Sequence, residues 1–344
     1  MKNLFILVLV LVLSVGAAGC SKPENGSSTS SSTSETSAEE TERHELKTGQ
    51  ALYAAHGTKS FATATVVLKD DTIVLAYVDE YQYLDSADAA GVPNSENFGD
   101  YVIDGYVLGS KRVNNESYSA DMAAAGSTVT INDNYEAIQK FVLGKTIAEL
   151  EEITSQEDEK VTDAVSGATL VDTKGYIDTI LLAAENARAN EAVPYQGDLA
   201  DLTIHQLEGA AHGTKCFTLT TVVTDGTTVV SAYIDEFQYL AGDTSTGVPN
   251  SDNLADYVKE GYVLGSKRVN TEAYSTSMAA AGSTIAIDKN YNMIQSYVSG
   301  KSIDELKALE EKKAEEVIDA VSSATLEDTA NYIKEVLKAA EATK

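Results

Sequence analysis

The stretch Asp163-Ala164-Val165-Ser166-Gly167-Ala168-Thr169 puts an acid, two hydroxyls and several small side chains within seven residues. Small residues let the backbone turn tightly and leave the Thr169 hydroxyl uncrowded. Leu170-Val171-Asp172-Thr173 then lead into residues 176–187, which have a helical period. A helix beginning there aims backbone N–H groups and the positive end of its dipole toward the hydroxyl, a setting suited to a phosphate. The stretch recurs as Asp319-Ala320-Val321-Ser322-Ser323-Ala324-Thr325, with Ser323 in the place of Gly167. A second reading of the same residues stays open, in which they form only a small-residue turn and helix cap.

The elements that must position these threonines come twice. His56-Gly57-Thr58-Lys59 returns as His212-Gly213-Thr214-Lys215, an offset of 212 − 56 = 156. The same offset carries Val92-Pro93-Asn94-Ser95 onto Val248-Pro249-Asn250-Ser251 and Gly109-Ser110-Lys111-Arg112 onto Gly265-Ser266-Lys267-Arg268. A period this long implies two tandem domains, because solenoid repeats run to about 20–50 residues. Residues 63–68 and 72–78 are rich in β-branched and apolar side chains around Lys69-Asp70-Asp71 and predict a hairpin. Residues 219–223 and 227–234 repeat it around Asp225-Gly226, and residues 135–143, 147–150 and 176–187 fit a helical period. Each unit therefore reads as α+β, a small antiparallel sheet packed with a few helices. The expected domains are 48–190 and 203–344, joined by a linker at 191–202 that contains Pro194.

Asp-x-x-Ser-Gly-Ala-Thr resembles the attachment motif of the FMN-binding domain family. That family is found in the C subunit of the sodium-pumping NADH:quinone reductase and the G subunit of Rnf complexes. The resemblance implies that a flavin transferase esterifies FMN, through its phosphate and with FAD as donor, to the last threonine. Carried over by position, Thr169 and Thr325 become the acceptors of two covalent FMN groups. Asp163, Ser166, Gly167 and Ala168, and in the second unit Asp319, Ser322, Ser323 and Ala324, become the recognition residues. Ser323 departs from the family's glycine and adds a side chain at a tight turn, which bears on how fully the second site is modified.

The N-terminus supplies an address. Lys2 precedes an apolar run at 4–13, then small residues and Cys20. The run is shorter than the roughly 20 residues a spanning helix needs, and a signal peptide at 1–19 is the expectation. Ala17-Ala18-Gly19-Cys20 resembles the lipobox of bacterial lipoproteins, which implies lipidation of Cys20 and anchorage on the outer face of the cell membrane. Residues 20–47 are dominated by Ser, Thr and Glu and read as a flexible tether. Lipobox, tether and paired motif together resemble the flavin-bearing lipoproteins of Gram-positive extracellular electron transfer. The implied role is an electron carrier more than a substrate-specific enzyme. It would link a quinol- or NADH-linked membrane donor to extracellular acceptors such as ferric iron or flavin shuttles, with ferric or flavin reductase activity included. The rival class is a non-redox binding or signalling lipoprotein, with residues 12–19 as a possible pheromone source.

The 25 Lys+Arg against 53 Asp+Glu give a net charge of −28, which speaks against nucleic acid as a partner. Four histidines, two cysteines and the absence of Cys-x-x-Cys leave little material for a metal cage or a haem site. Lys111-Arg112 and Lys267-Arg268 have two open readings, contact with a flavin phosphate or reduced ring, and a solvated basic pair. Tyr81, Tyr83, Tyr106 and Tyr118 match Phe237, Tyr239, Tyr262 and Tyr274 and read mainly as core and sheet residues. His56 and His212 read as structural, Met122 and Met278 as gap fillers, and Cys216 as inert because Ser60 stands in its place in the other copy.

Overall fold

The first half of the chain begins with three long strands, β1 (Arg43–Tyr53), β2 (Ser60–Lys69) and β3 (Thr72–Asp85), followed by the short β4 (Tyr106–Ser110). Helices α1 (Asn115–Ala124), α2 (Ile131–Val142), α3 (Ile147–Thr154), α4 (Asp158–Ala164) and α5 (Thr173–Ala189) complete it. After the strand β5 (Val193–Gln196) the same order returns in the second half. There β6 (Thr203–Gly209), β7 (Cys216–Thr224), β8 (Val229–Ala241), the one-turn α6 (Ser251–Leu254) and β9 (Tyr262–Ser266) precede the helices. These are α7 (Thr271–Ala280), α8 (Ile287–Val298), α9 (Ile303–Glu310), α10 (Ala314–Ala320) and α11 (Thr329–Glu341). The computed structural model describes residues 42–321 and 324–342. The expected signal peptide, Cys20, most of the tether, Ser322 and Ser323 lie outside the described residues.

The class is α+β, with two antiparallel sheets ordered β4-β3-β2-β1-β5 and β6-β7-β8-β9. Strand β2 explains the layering. Its Ala62, Ala64, Val66 and Leu68 lie in a core shared with α2, α3 and α5. The alternate residues Phe61 and Val67 belong to clusters that also hold side chains of the second half. A strand buried on both faces reads as nearly unbroken apolar and threonine sequence. Each sheet thus carries helices on one face and the other sheet on the opposite face.

Contacts between residues one repeat apart mark a local two-fold relation between the halves. Thr65 Oγ1 and Thr221 Oγ1 are 3.2 Å apart, and the Tyr83 and Tyr239 hydroxyls are 3.1 Å apart. Val102 and Val258 form a β-bridge. A residue meets its own counterpart only at such an axis, as at an isologous dimer interface. Asn94, at φ 67°, donates to the Gly213 and Cys216 carbonyls, and Asn250 donates reciprocally to those of Gly57 and Ser60.

Two expected boundaries move. β1 starts at Arg43, inside the stretch expected to be tether, with Leu46 buried between charged neighbours. β5 lies inside the expected linker and pairs antiparallel with β1, with Tyr195 buried and Pro194 at the sheet edge, where a missing N–H is tolerated. The described residues form a single compact unit. Tyr81 and Tyr83 are core residues, as expected, and Met122 and Met278 pack against the two helix-side cores.

Candidate functional site

Thr169 lies in the turn between α4 and α5. The Val165 side chain is buried and anchors the start of that turn, and its carbonyl accepts from the Ala168 N–H at 3.2 Å. Gly167 sits at φ 94°, a left-handed conformation that glycine adopts without cost. A Cβ added there would find only Ala137, at 3.6 Å. This turn releases Thr169 onto the surface, where the residue is exposed.

The backbone of Thr169 is nevertheless fixed. Its N–H donates to Asn134 Oδ1 at 2.7 Å, while its hydroxyl reaches the same oxygen only at a long 3.4 Å. Asn134 is wholly buried in the first turn of α2, and its Nδ2 donates to the Thr130 carbonyl at 2.8 Å. The amide is thereby locked with its oxygen toward the threonine. The second half reproduces the arrangement. Thr325 is exposed, its N–H donates to the buried Asn290 at 2.8 Å, and its hydroxyl lies 3.4 Å from the same oxygen. Ala324 is buried, and its N–H closes the turn onto the Val321 carbonyl.

Of the expected recognition residues, Asp163, Ser166 and Gly167 are exposed around Thr169, Ala168 is half-buried, and Asp319 is exposed. Sequence reasoning missed Asn134 and Asn290. A signal was present, because Ile131, Asn134, Tyr135, Ile138 and Val142 share one helical face, so an asparagine stands in an apolar stripe at the same place in both halves.

Asp172 forms the N-cap of α5 but does not bond the helix N–H groups. Its Oδ2 instead meets His56 Nδ1 at 2.7 Å, and Asp328 meets His212 at the same distance. The two histidines therefore tie the β1–β2 and β6–β7 loops to the helices that follow the threonine turns, a structural role as expected.

Lys111 and Lys267 fit neither of their expected readings. Each is about 1% exposed and ion-paired with a buried glutamate, Glu80 or Glu236. Burial, the largest influence, would lower the Lys111 pKa, but the Glu80 carboxylate and Tyr118 beside it together leave it raised. Tyr176 donates to the same carboxylate at 2.7 Å. Arg112 bonds the Val78 carbonyl and Gln139 and lies over the Tyr77 ring. The two lysines are thus spent inside the fold, while Arg112 and Arg268 line surface clefts. Cys216 is buried, with its thiol pushed up by burial, consistent with an inert role.

No family model, curated protein or solved structure matches this chain. Among the described residues no helix is long and apolar enough to cross a membrane, and no group of three or more His, Cys, Asp or Glu could hold a metal. The two turns offer exposed threonines whose backbone N–H groups are pinned from behind.

Proposed function

We propose that this chain is a lipid-anchored extracellular electron carrier with FMN esterified through its phosphate to Thr169 and Thr325. It descends in this reading from duplication of one FMN-binding domain. The observation that supports it most is the twofold occurrence of an exposed threonine on an open turn, its N–H held by a buried asparagine and its hydroxyl left available. The residues present fit such a group. Gly167 leaves the turn open, and an ester would use the Thr169 hydroxyl, whose only hydrogen bond here is a long 3.4 Å contact, while leaving the short N–H bond intact. The attached flavin supplies reversible redox chemistry, and the protein supplies position. Outside the cell a covalent bond also holds the cofactor where its free concentration is too low to maintain occupancy. Cys20 anchors the chain, the tether gives it reach, a membrane quinol- or NADH-linked protein is the donor, and ferric iron or flavin shuttles are acceptors.

The test is co-expression of the exported chain with a flavin transferase, followed by intact mass and in-gel fluorescence of the denatured protein. One FMN less one water is expected per acceptor, lost stepwise in Thr169→Val and Thr325→Val. An unmodified mass in the presence of active transferase overturns the reading.

A further inference from the structure

We infer that Asn134 and Asn290 are positioning residues for modification of Thr169 and Thr325, a role that rests on the reading above. A threonine in a loop before a helix ordinarily turns its hydroxyl back onto nearby backbone N–H groups. Such a hydroxyl is unavailable to an incoming phosphorus. Here the acceptor is held differently. The short bond from the Thr169 N–H fixes the backbone, and the long contact from the hydroxyl leaves its lone pairs unspent. The α5 capping position is taken by Asp172, and the Thr173 N–H and hydroxyl both go to the Leu170 carbonyl rather than to Thr169.

Asn134 itself cannot swing. It is wholly buried, and its NH2 donates to the Thr130 carbonyl, which fixes its oxygen toward the turn. The first turn of α2 that carries it is held in turn by other side chains. Ser119 accepts from the Ile131 N–H, Asn115 from the Asn132 N–H, and Thr130 from the Asp133 N–H. Placing a polar amide in an apolar helix stripe is unfavourable unless its bonds are needed, and both halves retain it. In the transfer, the threonine oxygen forms the new P–O bond, the phosphoanhydride of FAD breaks, AMP leaves, and the hydroxyl proton passes to the transferase or solvent. The asparagine amide is too weak a base to take that proton. Its part is orientation, where an error of about 1 Å costs on the order of a hundredfold in rate.

The experiment follows single-turnover flavin transfer to the full exported chain from purified transferase and FAD, reading Thr169 and Thr325 separately by peptide mass. In Asn134→Leu, the limiting single-turnover rate at Thr169 is expected to fall about ten- to a hundredfold with little change in the transferase concentration that gives half of it. Thr325 in the same molecule should keep its wild-type rate, and a single cooperative urea transition shows that the altered half is folded. Asn134→Asp, which retains an oxygen acceptor, restores at least part of the rate, and Asn290→Leu gives the mirror-image result. Wild-type transfer to Thr169 in Asn134→Leu overturns this inference alone. Absence of flavin on both threonines of the unaltered chain overturns it together with the reading beneath it.

Discussion

Glu208→Leu should change how this protein's stability depends on pH. Glu208, on β6, lines a cleft of about 290 Å3 where it faces Asp79, Tyr77, Tyr81 and Arg112 of the first half. The twin cleft has matching Tyr233, Asp235 and Arg268, but Leu52 replaces Glu208. Phe237 stands at the position equivalent to Tyr81. Both polar atoms particular to the first cleft, Tyr81 Oη and Glu208 Oε1, are sealed from solvent without completing a hydrogen bond of ordinary geometry. Burial, with the Asp79 charge adding to it, raises the Glu208 carboxyl from its ordinary 4.5 to about 8. A carboxyl raised on folding binds its proton more tightly in the folded than in the unfolded chain. Its contribution is therefore complete below pH 4.5 and is lost as pH climbs to about 8. A rise of 8 − 4.5 = 3.5 units corresponds to about 5 kcal/mol at ~1.4 kcal/mol per unit. Glu208 is only partly buried as a residue, and water entering the cleft reduces this to about 2–3 kcal/mol. Asp79, raised by burial to about 6, adds a lower-pH slope common to both proteins. Urea unfolding at intervals from about pH 4 to 9 should show the wild type losing about 2–3 kcal/mol relative to Glu208→Leu. Parallel curves for the two proteins would refute the assignment of a buried, protonated Glu208.

Lys111→Met should cost about 3–5 kcal/mol by leaving the Glu80 carboxylate buried and unpaired, and adding Glu80→Gln should recover much of it, as measured by urea unfolding. Tyr83→Phe alone should cost about 1–3 kcal/mol because the buried Tyr239 hydroxyl loses its partner, whereas Tyr83→Phe with Tyr239→Phe should be nearly neutral. Gly167→Ala should lower stability by only about 1 kcal/mol, since the added methyl meets only Ala137 at an ordinary 3.6 Å and the cost is the left-handed backbone. Gly167→Ser gives the first turn the second turn's residue, and flavin occupancy at Thr169 should fall to that of Thr325 in peptide mass analysis.

The repeat, the hairpins and the later helices were legible because each is written in local period and local turn residues. β2 and β3 alternate or run apolar around Lys69-Asp70-Asp71, and α2 keeps its buried positions three and four apart. The two turns were legible as motifs. β1 was legible only in part, because Arg43, Glu45 and Lys47 disguise a strand whose inward residues are buried. The roles of Lys111 and Lys267 were illegible for a different reason. A lysine's burial is decided by a glutamate some thirty residues away on another strand, and nothing in the basic pair itself shows that partner.

What the fold adds to the motif is a division of labour between the two faces of each sheet. The sheet-to-sheet face holds Phe61, Tyr81, Tyr83, Phe217, Phe237 and Tyr239 in one apolar cluster that binds the halves together. The helical face carries α2 and the turn before α5, joined through Asn134, and in the other half α8 and the turn before α11, joined through Asn290. Among the described residues, each threonine turn thus draws its hydrogen bonds from its own helices and its own asparagine, with no side chain borrowed from the other half. Under the proposed function, independent sites require that losing one hydroxyl leave the other's modification rate unchanged. Coupled rates for Thr169 and Thr325 in the two single valine variants would show that the sheet-to-sheet face transmits more than attachment.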